Sequence, residues 1–98
     1  MYETTTKIYL EIADRLLERV GVGDFFAGSV ELTDGDVVWR LTCTVVARRA
    51  RYVEEGSLVR PIETLLPVWW EMTTTCDGVV VENDFSFFKM LLVYDNKE

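Results

Sequence analysis

The sequence contains no histidine, only two cysteines and two prolines, and no long apolar run. Without histidine the familiar zinc ligand sets are excluded, and general acid–base catalysis would depend on carboxylates, tyrosines or lysines. No apolar stretch reaches the roughly 18 residues that a membrane span needs, and the N-terminus lacks the basic start and apolar stretch of a secretory signal. These absences predict a cytoplasmic protein with no membrane partner, no metal site and no cofactor.

Short catalytic motifs are also missing. The sequence has no G-x-S-x-G elbow, no phosphate-binding glycine loop and no acid-rich calcium loop. Strand alternation groups Glu31, Glu71 and Glu82 on one face, where they are interpreted as solvated charges. Cys43 and Cys76 are expected to remain free thiols, as is usual in the cytoplasm. The sequence therefore predicts a non-enzymatic protein with no catalytic residues.

Acidic residues outnumber basic ones, and the net charge of −7 opposes binding to the phosphates of nucleic acids. One stretch differs, because it holds four arginines and no acid: Arg40, Arg48, Arg49 and Arg51. These arginines are interpreted as lining a strand and pairing with nearby carboxylates such as Glu54 and Glu55. Phosphate binding is the alternative, and a nucleic-acid partner is disfavoured.

The chain has 98 residues, of which 49% are hydrophobic and 28% charged, and this predicts one folded domain over residues 1–98. Apolar residues between Thr4 and Val20 recur at spacings of three and four, which predicts an amphipathic helix that ends at Gly21. A loop is predicted from Ala50 to Pro61, around its charges and glycine.

Two hairpins are predicted after the helix. Asp34-Gly35 predicts a turn that pairs Thr33 with Asp36. A third strand over Ile62 to Thr75 turns at Asp77-Gly78 into a fourth strand at Val79 to Asn83. Alternation places one apolar set on the same face, namely Phe26, Val30, Trp39, Leu41, Val68, Trp70 and Met72.

The last segment has two interpretations. Asp84 or Ser86 can cap a short helix over residues 87–94, whereas its Phe, Val and Tyr also suit a fifth strand. The helix is preferred. The predicted fold class is α+β, with a four-stranded antiparallel sheet made of two hairpins, and with the N-terminal helix and the short C-terminal helix packed on one face.

Two stretches are less generic than the rest. Pro67-Val68-Trp69-Trp70-Glu71 and Asn83-Asp84-Phe85-Ser86-Phe87 resemble motifs of a family of small uncharacterised bacterial proteins of similar length. The resemblance covers roughly the last third of the chain and implies no activity, ligand or functional residue. It supports the order of strand, turn, strand and helix cap in this region.

The other face of the sheet is expected to be open and to carry Trp69, because this residue alternates with Trp70. The alternative is that Trp69 lies under a loop or the C-terminal tail. Aromatic residues and arginine on such a face are typical of protein interfaces. We therefore predict an interaction or assembly module that binds a protein partner or a second copy of itself. The candidate interaction residues are Trp69, Glu71, Leu65, Arg40, Thr42 and Arg48. A small-molecule pocket between helix and sheet, near Gly28, is the alternative.

Overall fold

A computed structural model describes residues 1–53, 55–56 and 62–96. The chain forms helix α1 (Thr6–Val20), strands β1 (Phe25–Asp34), β2 (Val37–Arg49), β3 (Ile62–Cys76) and β4 (Val79–Val81), and helix α2 (Phe87–Asp95). The four strands pair antiparallel in chain order, β1-β2-β3-β4. The predicted α+β fold class is confirmed.

Helix α1 begins and ends with cap residues. The Thr5 hydroxyl accepts a hydrogen bond from the backbone N–H of Ile8 at 3.3 Å, which satisfies one of the free donors of the first turn. At the other end Gly21 has a positive φ of 54°, and its N–H donates to the carbonyl of Leu17 at 2.9 Å. The predicted helix and its glycine end are confirmed.

Both helices contact the same face of the sheet and enclose one core. Helix α1 contributes six buried residues, namely Ile8, Tyr9, Ile12, Ala13, Leu16 and Val20. From the sheet, Phe26, Val30, Trp39 and Leu41 are buried as predicted, and Trp70 and Met72 are partly buried against them. This side is the helix-covered face.

The first hairpin has a different register from the predicted one. Asp34 pairs with Val37 across a Gly35-Asp36 turn, two positions away from the expected pairing of Thr33 with Asp36. Gly35 has a φ of 62° and Asp36 is not in the positive region, the pattern of a type II′ turn that needs glycine at its first position. Because the error is two residues, every side chain keeps its predicted face.

The second hairpin turns at Asp77 and Gly78 as predicted, and both residues have positive φ, the pattern of a type I′ turn. Strand β4 ends at Val81 and not at Asn83, so it pairs only with the last three residues of β3. Asn83 instead forms an isolated parallel bridge with Tyr2 near the N-terminus. In this bridge the N–H of Tyr2 donates to the carbonyl of Glu82, and the carbonyl of Tyr2 accepts from the N–H of Asp84.

Strand β3 contains a bulge at Val68. Thr44 pairs with Trp69 and Val45 with Pro67, so Val68 has no partner in β2. Because of this extra residue, Leu65, Leu66 and Pro67 point to the opposite faces from those that simple alternation predicts. Val68, predicted in the core, is therefore 70% exposed, and this prediction was wrong.

The C-terminal segment is a helix, and the fifth strand is excluded. The Ser86 hydroxyl caps α2 by accepting from the N–H of Lys89 at 3.3 Å. Just before α2, the Asp84 carboxylate accepts a hydrogen bond from the N–H of Thr4 at 2.6 Å, and this joins the segment that precedes α2 to the segment that precedes α1. This hydrogen bond lowers the pKa of Asp84.

The loop predicted from Ala50 to Pro61 falls partly outside the described residues, as does Glu54. Arg51, Tyr52 and Val53 are exposed and lie outside the strands. Within the part of the chain that the structure describes, no helix has the length and apolar character needed to cross a membrane.

Candidate functional site

The open face is the side of the sheet opposite the helices. Its side chains form rows across the strands, because paired residues share a face. Phe25 pairs with Val46, which pairs with Leu66, and the next row is Ala27, Thr44 and Trp69. These two rows lie near the end of the sheet where β1 begins.

Four apolar side chains of these rows are exposed. They are Phe25, Val46, Leu66 and Trp69, and we call them, together with the neighbouring bulge residue Val68, the apolar patch. Trp69 is 51% exposed and is the largest member. At about 100 Å² per residue, the patch exposes on the order of 500 Å². The largest apolar patch on a typical monomer exposes about 300–600 Å² and often has a function, so this patch is the leading candidate for an interaction site on the described surface.

Most other side chains of the open face are polar, apart from Ala27, Val38 and Val80, and the polar ones next to the patch hydrogen-bond to one another. Arg40 pairs with Glu31 on the neighbouring strand through an ion pair and two hydrogen bonds. Thr42 shares a 2.8 Å hydrogen bond with Ser29. Arg40 and Thr42, both predicted interaction residues, therefore lie on the open face but are already engaged within the sheet.

Two charged residues lie on either side of the apolar patch. Arg48 follows Val46 by two positions on β2, and Glu71 follows Trp69 by two positions on β3. Both are exposed, and neither forms an ion pair among the described residues. Glu71 accepts only a long 3.5 Å hydrogen bond from Thr73. The patch therefore has a free positive charge on one side and a free negative charge on the other.

Leu65 does not belong to the open face. It is only 3% exposed and packs in the core, because the bulge at Val68 reverses the alternation of β3. Leu66 takes the outward position in its place. The prediction that Leu65 is an exposed interaction residue was wrong, and the exposure of Leu66 and Val68 on this side was not predicted. The signal in the sequence was Pro67, since proline within a strand marks an edge or a bulge.

Arg49 and Arg48, the other two arginines of β2, differ in their contacts. Arg49 forms an ion pair with Asp24 at 3.0 Å and donates to backbone carbonyls after α1, which ties β2 to the α1–β1 connection. The predicted pairing of arginines with carboxylates is confirmed for Arg40 with Glu31 and for Arg49 with Asp24. Arg48 is exposed and available on the open face.

The outer edge of β3 is also uncovered over much of its length. Because β4 pairs only with Thr74, Thr75 and Cys76, the preceding residues have no strand beside them among those described. Pro67 removes one N–H from this edge, and the bulge beside it distorts the strand. Both features oppose the addition of another strand. This edge is therefore poorly suited to pairing with a further strand.

A cleft of about 310 Å³ lies on the helix-covered side, between α1, α2 and the beginning of β3. The alternative site near Gly28 is absent, because the Phe26 ring fills that space. A side-chain carbon on Gly28 would come within 3.0 Å of the ring. The cleft lies beside the beginning of β3, whereas Gly28 lies on β1.

The two cysteines are free, as predicted. Cys43 is buried on the helix-covered face between Gly28 and Trp70, and burial raises the pKa of its thiol to about 11. Cys76 is partly exposed at the β3–β4 turn, where it accepts a hydrogen bond from the hydroxyl of Tyr2. Cys43 is a core residue and lacks the thiolate character that reactivity requires.

Comparison with protein-family models, with curated proteins and with solved structures gave no match. The resemblance of the two C-terminal motifs to small bacterial proteins stays a prediction.

Proposed function

We propose that this protein is a homotypic assembly module that dimerises through the open face of its sheet, with Trp69 as the central anchor. The observation that carries the proposal is the apolar patch, which is uncovered in the single chain. Two copies joined at this patch would bury on the order of 1,000 Å², the size at which specific interfaces begin. Pro67 and the Val68 bulge favour contact through the face over pairing at the edge.

The charges beside the patch favour a second copy as the partner. In the proposed dimer the two-fold axis lies in the interface, at right angles to the strands, so the strands of the two copies run in opposite directions. Arg48 of one copy then approaches Glu71 of the other. The same axis places Trp69 over Leu66 of the second copy. Each contact then occurs twice, and the surface is complementary to itself. This antiparallel arrangement is part of the proposal.

The first test compares two phenylalanines of equal exposure. Phe25 lies in the patch and is 61% exposed, and Phe88 lies on α2 and is 62% exposed. We expect the wild-type chain to dimerise with a dissociation constant on the order of 10 µM, given the small interface. Phe25→Glu and Trp69→Glu should give monomers in sedimentation equilibrium, whereas Phe88→Glu should leave the dimer unchanged. Far-ultraviolet circular dichroism checks that each variant is folded.

A wild-type chain that stays monomeric at about 1 mM would overturn the proposal, since such an affinity is too weak for a specific dimer. Equal dissociation by Phe88→Glu would also contradict it, because the added charge alone would then explain the effect.

The second test addresses the antiparallel arrangement by exchanging charges. Arg48→Glu and Glu71→Arg should each weaken the dimer, because each places like charges together. The double variant should restore it, since the pair is then reversed and the net charge is that of the wild type. If the double variant is as weak as the singles while Trp69→Glu still gives monomers, the dimer stands and this orientation is wrong.

A further inference from the structure

The cleft on the helix-covered side has an apolar floor. Ala13 of α1, Leu65 of β3 and Met90 of α2 are buried at its base. Leu17, Ile62 and Leu91 form partly buried walls. Its volume of about 310 Å³ is at the lower end of the range for small-molecule sites. A compact apolar group therefore suits the interior.

Among the described residues that line the rim of the cleft, the charged side chains are carboxylates. Glu63 and Asp95 line the cleft and are exposed, and its described lining residues include no cation. Glu63 lies at a second irregularity of β3, where Arg48 pairs with Thr64 and Arg49 with Ile62, so that Glu63 has no partner in β2. Neither carboxylate forms an ion pair among the described residues. The rim is therefore complementary to a positive charge.

We propose that this cleft binds a small amphipathic amine, with its apolar body against Leu65 and Met90 and its ammonium group at the rim beside Glu63 and Asp95. The apolar body gains from leaving water, and the ammonium group remains at the opening, where it is partly hydrated. The site lies on the opposite side of the sheet from the apolar patch. Binding therefore does not depend on dimerisation.

The test uses two probes with the same indole body and opposite charge, tryptamine and indole-3-propionate. In the full chain labelled with ¹³C at the methionine methyl groups, Met90 reports on the cleft, and Met1 and Met72 report on other surroundings. We expect tryptamine to shift the Met90 signal to saturation with a dissociation constant on the order of 0.1–1 mM, ordinary for a ligand of this size. Indole-3-propionate should bind at least about fivefold more weakly.

Matched variants separate the rim charges from the acidity of the whole chain, which attracts any cation. Glu63→Gln with Asp95→Asn should remove the preference for tryptamine. Asp34→Asn with Asp36→Asn changes the net charge equally at the far β1–β2 turn and should keep the preference.

Three results would overturn the proposal. The first is no saturable shift of the Met90 signal with tryptamine at 10 mM, about tenfold above the weakest expected dissociation constant. The second is binding of indole-3-propionate as tight as that of tryptamine. The third is a preference that survives the loss of both rim carboxylates.

Discussion

The two faces of the sheet are made by the same strands and have opposite environments. On the helix-covered face Leu41 and Val45 are fully buried, and they contact a core that α1 and α2 complete. On the open face Trp69 and Leu66 are apolar and half exposed. The first face accounts for the folding of the single chain. The apolar side chains of the second face leave about half of their surface in water, and association with a partner would bury it.

The bulge at Val68 decides which residues of β3 reach which face. The bulge places Leu65 in the core, where it is 3% exposed, whereas simple alternation through Val68 would place it on the open face, so Leu65→Ala tests the assignment. We expect the largest loss here, about 2–5 kcal/mol in the free energy of unfolding, as for the removal of a buried leucine. Urea denaturation measures the loss.

Val68→Ala keeps the chain length and the bulge, and the valine is 70% exposed, so it serves as the control. Its loss should be below about 0.5 kcal/mol. A Leu65→Ala variant as stable as this control would show that Leu65 is not in the core and that the bulge does not determine the faces.

Trp69 and Trp70 are neighbours on β3 that lie on opposite faces of the sheet, so replacing each in turn compares the two faces directly. Trp70 points to the helix-covered face, where its ring lies 5.7 Å from that of Phe85 and 6.4 Å from that of Phe87. Trp70→Ala should cost about 3 kcal/mol in chemical denaturation, because it leaves a cavity and removes these ring contacts. Trp69→Ala should cost less than about 1 kcal/mol at concentrations where the chain is monomeric. Equal costs would contradict the assignment of the faces.

The smallest expected effect concerns the hydrogen bond between Thr4 and Asp84, which joins the segments that precede the two helices. The hydrogen bond from the Thr4 N–H stabilises the charged form of Asp84, and its pKa is lower in the folded chain than in the unfolded chain. This stabilisation is therefore fully present above the unfolded pKa of about 4 and is lost as the pH falls through the lower folded value. Asp84→Asn should reduce the free energy of unfolding at pH 7 by less than about 1 kcal/mol, because the site is exposed.

Thermal unfolding between about pH 2 and pH 7 is the measurement, with Asp34→Asn as a control at an exposed carboxylate in the β1–β2 hairpin. The difference between wild type and Asp84→Asn should shrink towards the acid end. A difference that stays constant with pH would rule out the carboxylate as its source.

Much of the architecture follows from local patterns. The three-and-four spacing of Ile8, Ile12 and Leu16 predicts α1, and the Asp77-Gly78 pair predicts the second turn. Ser86 predicts the start of α2, although strand-forming residues follow it. Each of these signals acts over a few residues, so the chain itself is enough to read them.

The residues of the candidate site could be predicted from the sequence only in part, because the bulge in β3 changes which side chains reach the open face. Alternation alone predicts Trp69, Glu71 and Arg48 on the open face, but it places Leu65 there as well and misses Leu66.

What the sequence determined by itself is the set of elements, their turns and the two-residue alternation within each strand, because local sterics and hydrogen bonds specify them. What only the tertiary structure decided is where that alternation is interrupted. The bulge opposite Thr44 and Val45 depends on how β3 pairs with β2 while Leu65 packs under the helices. Those contacts join residues far apart in the chain, and the free energy of burying them outweighs local preference.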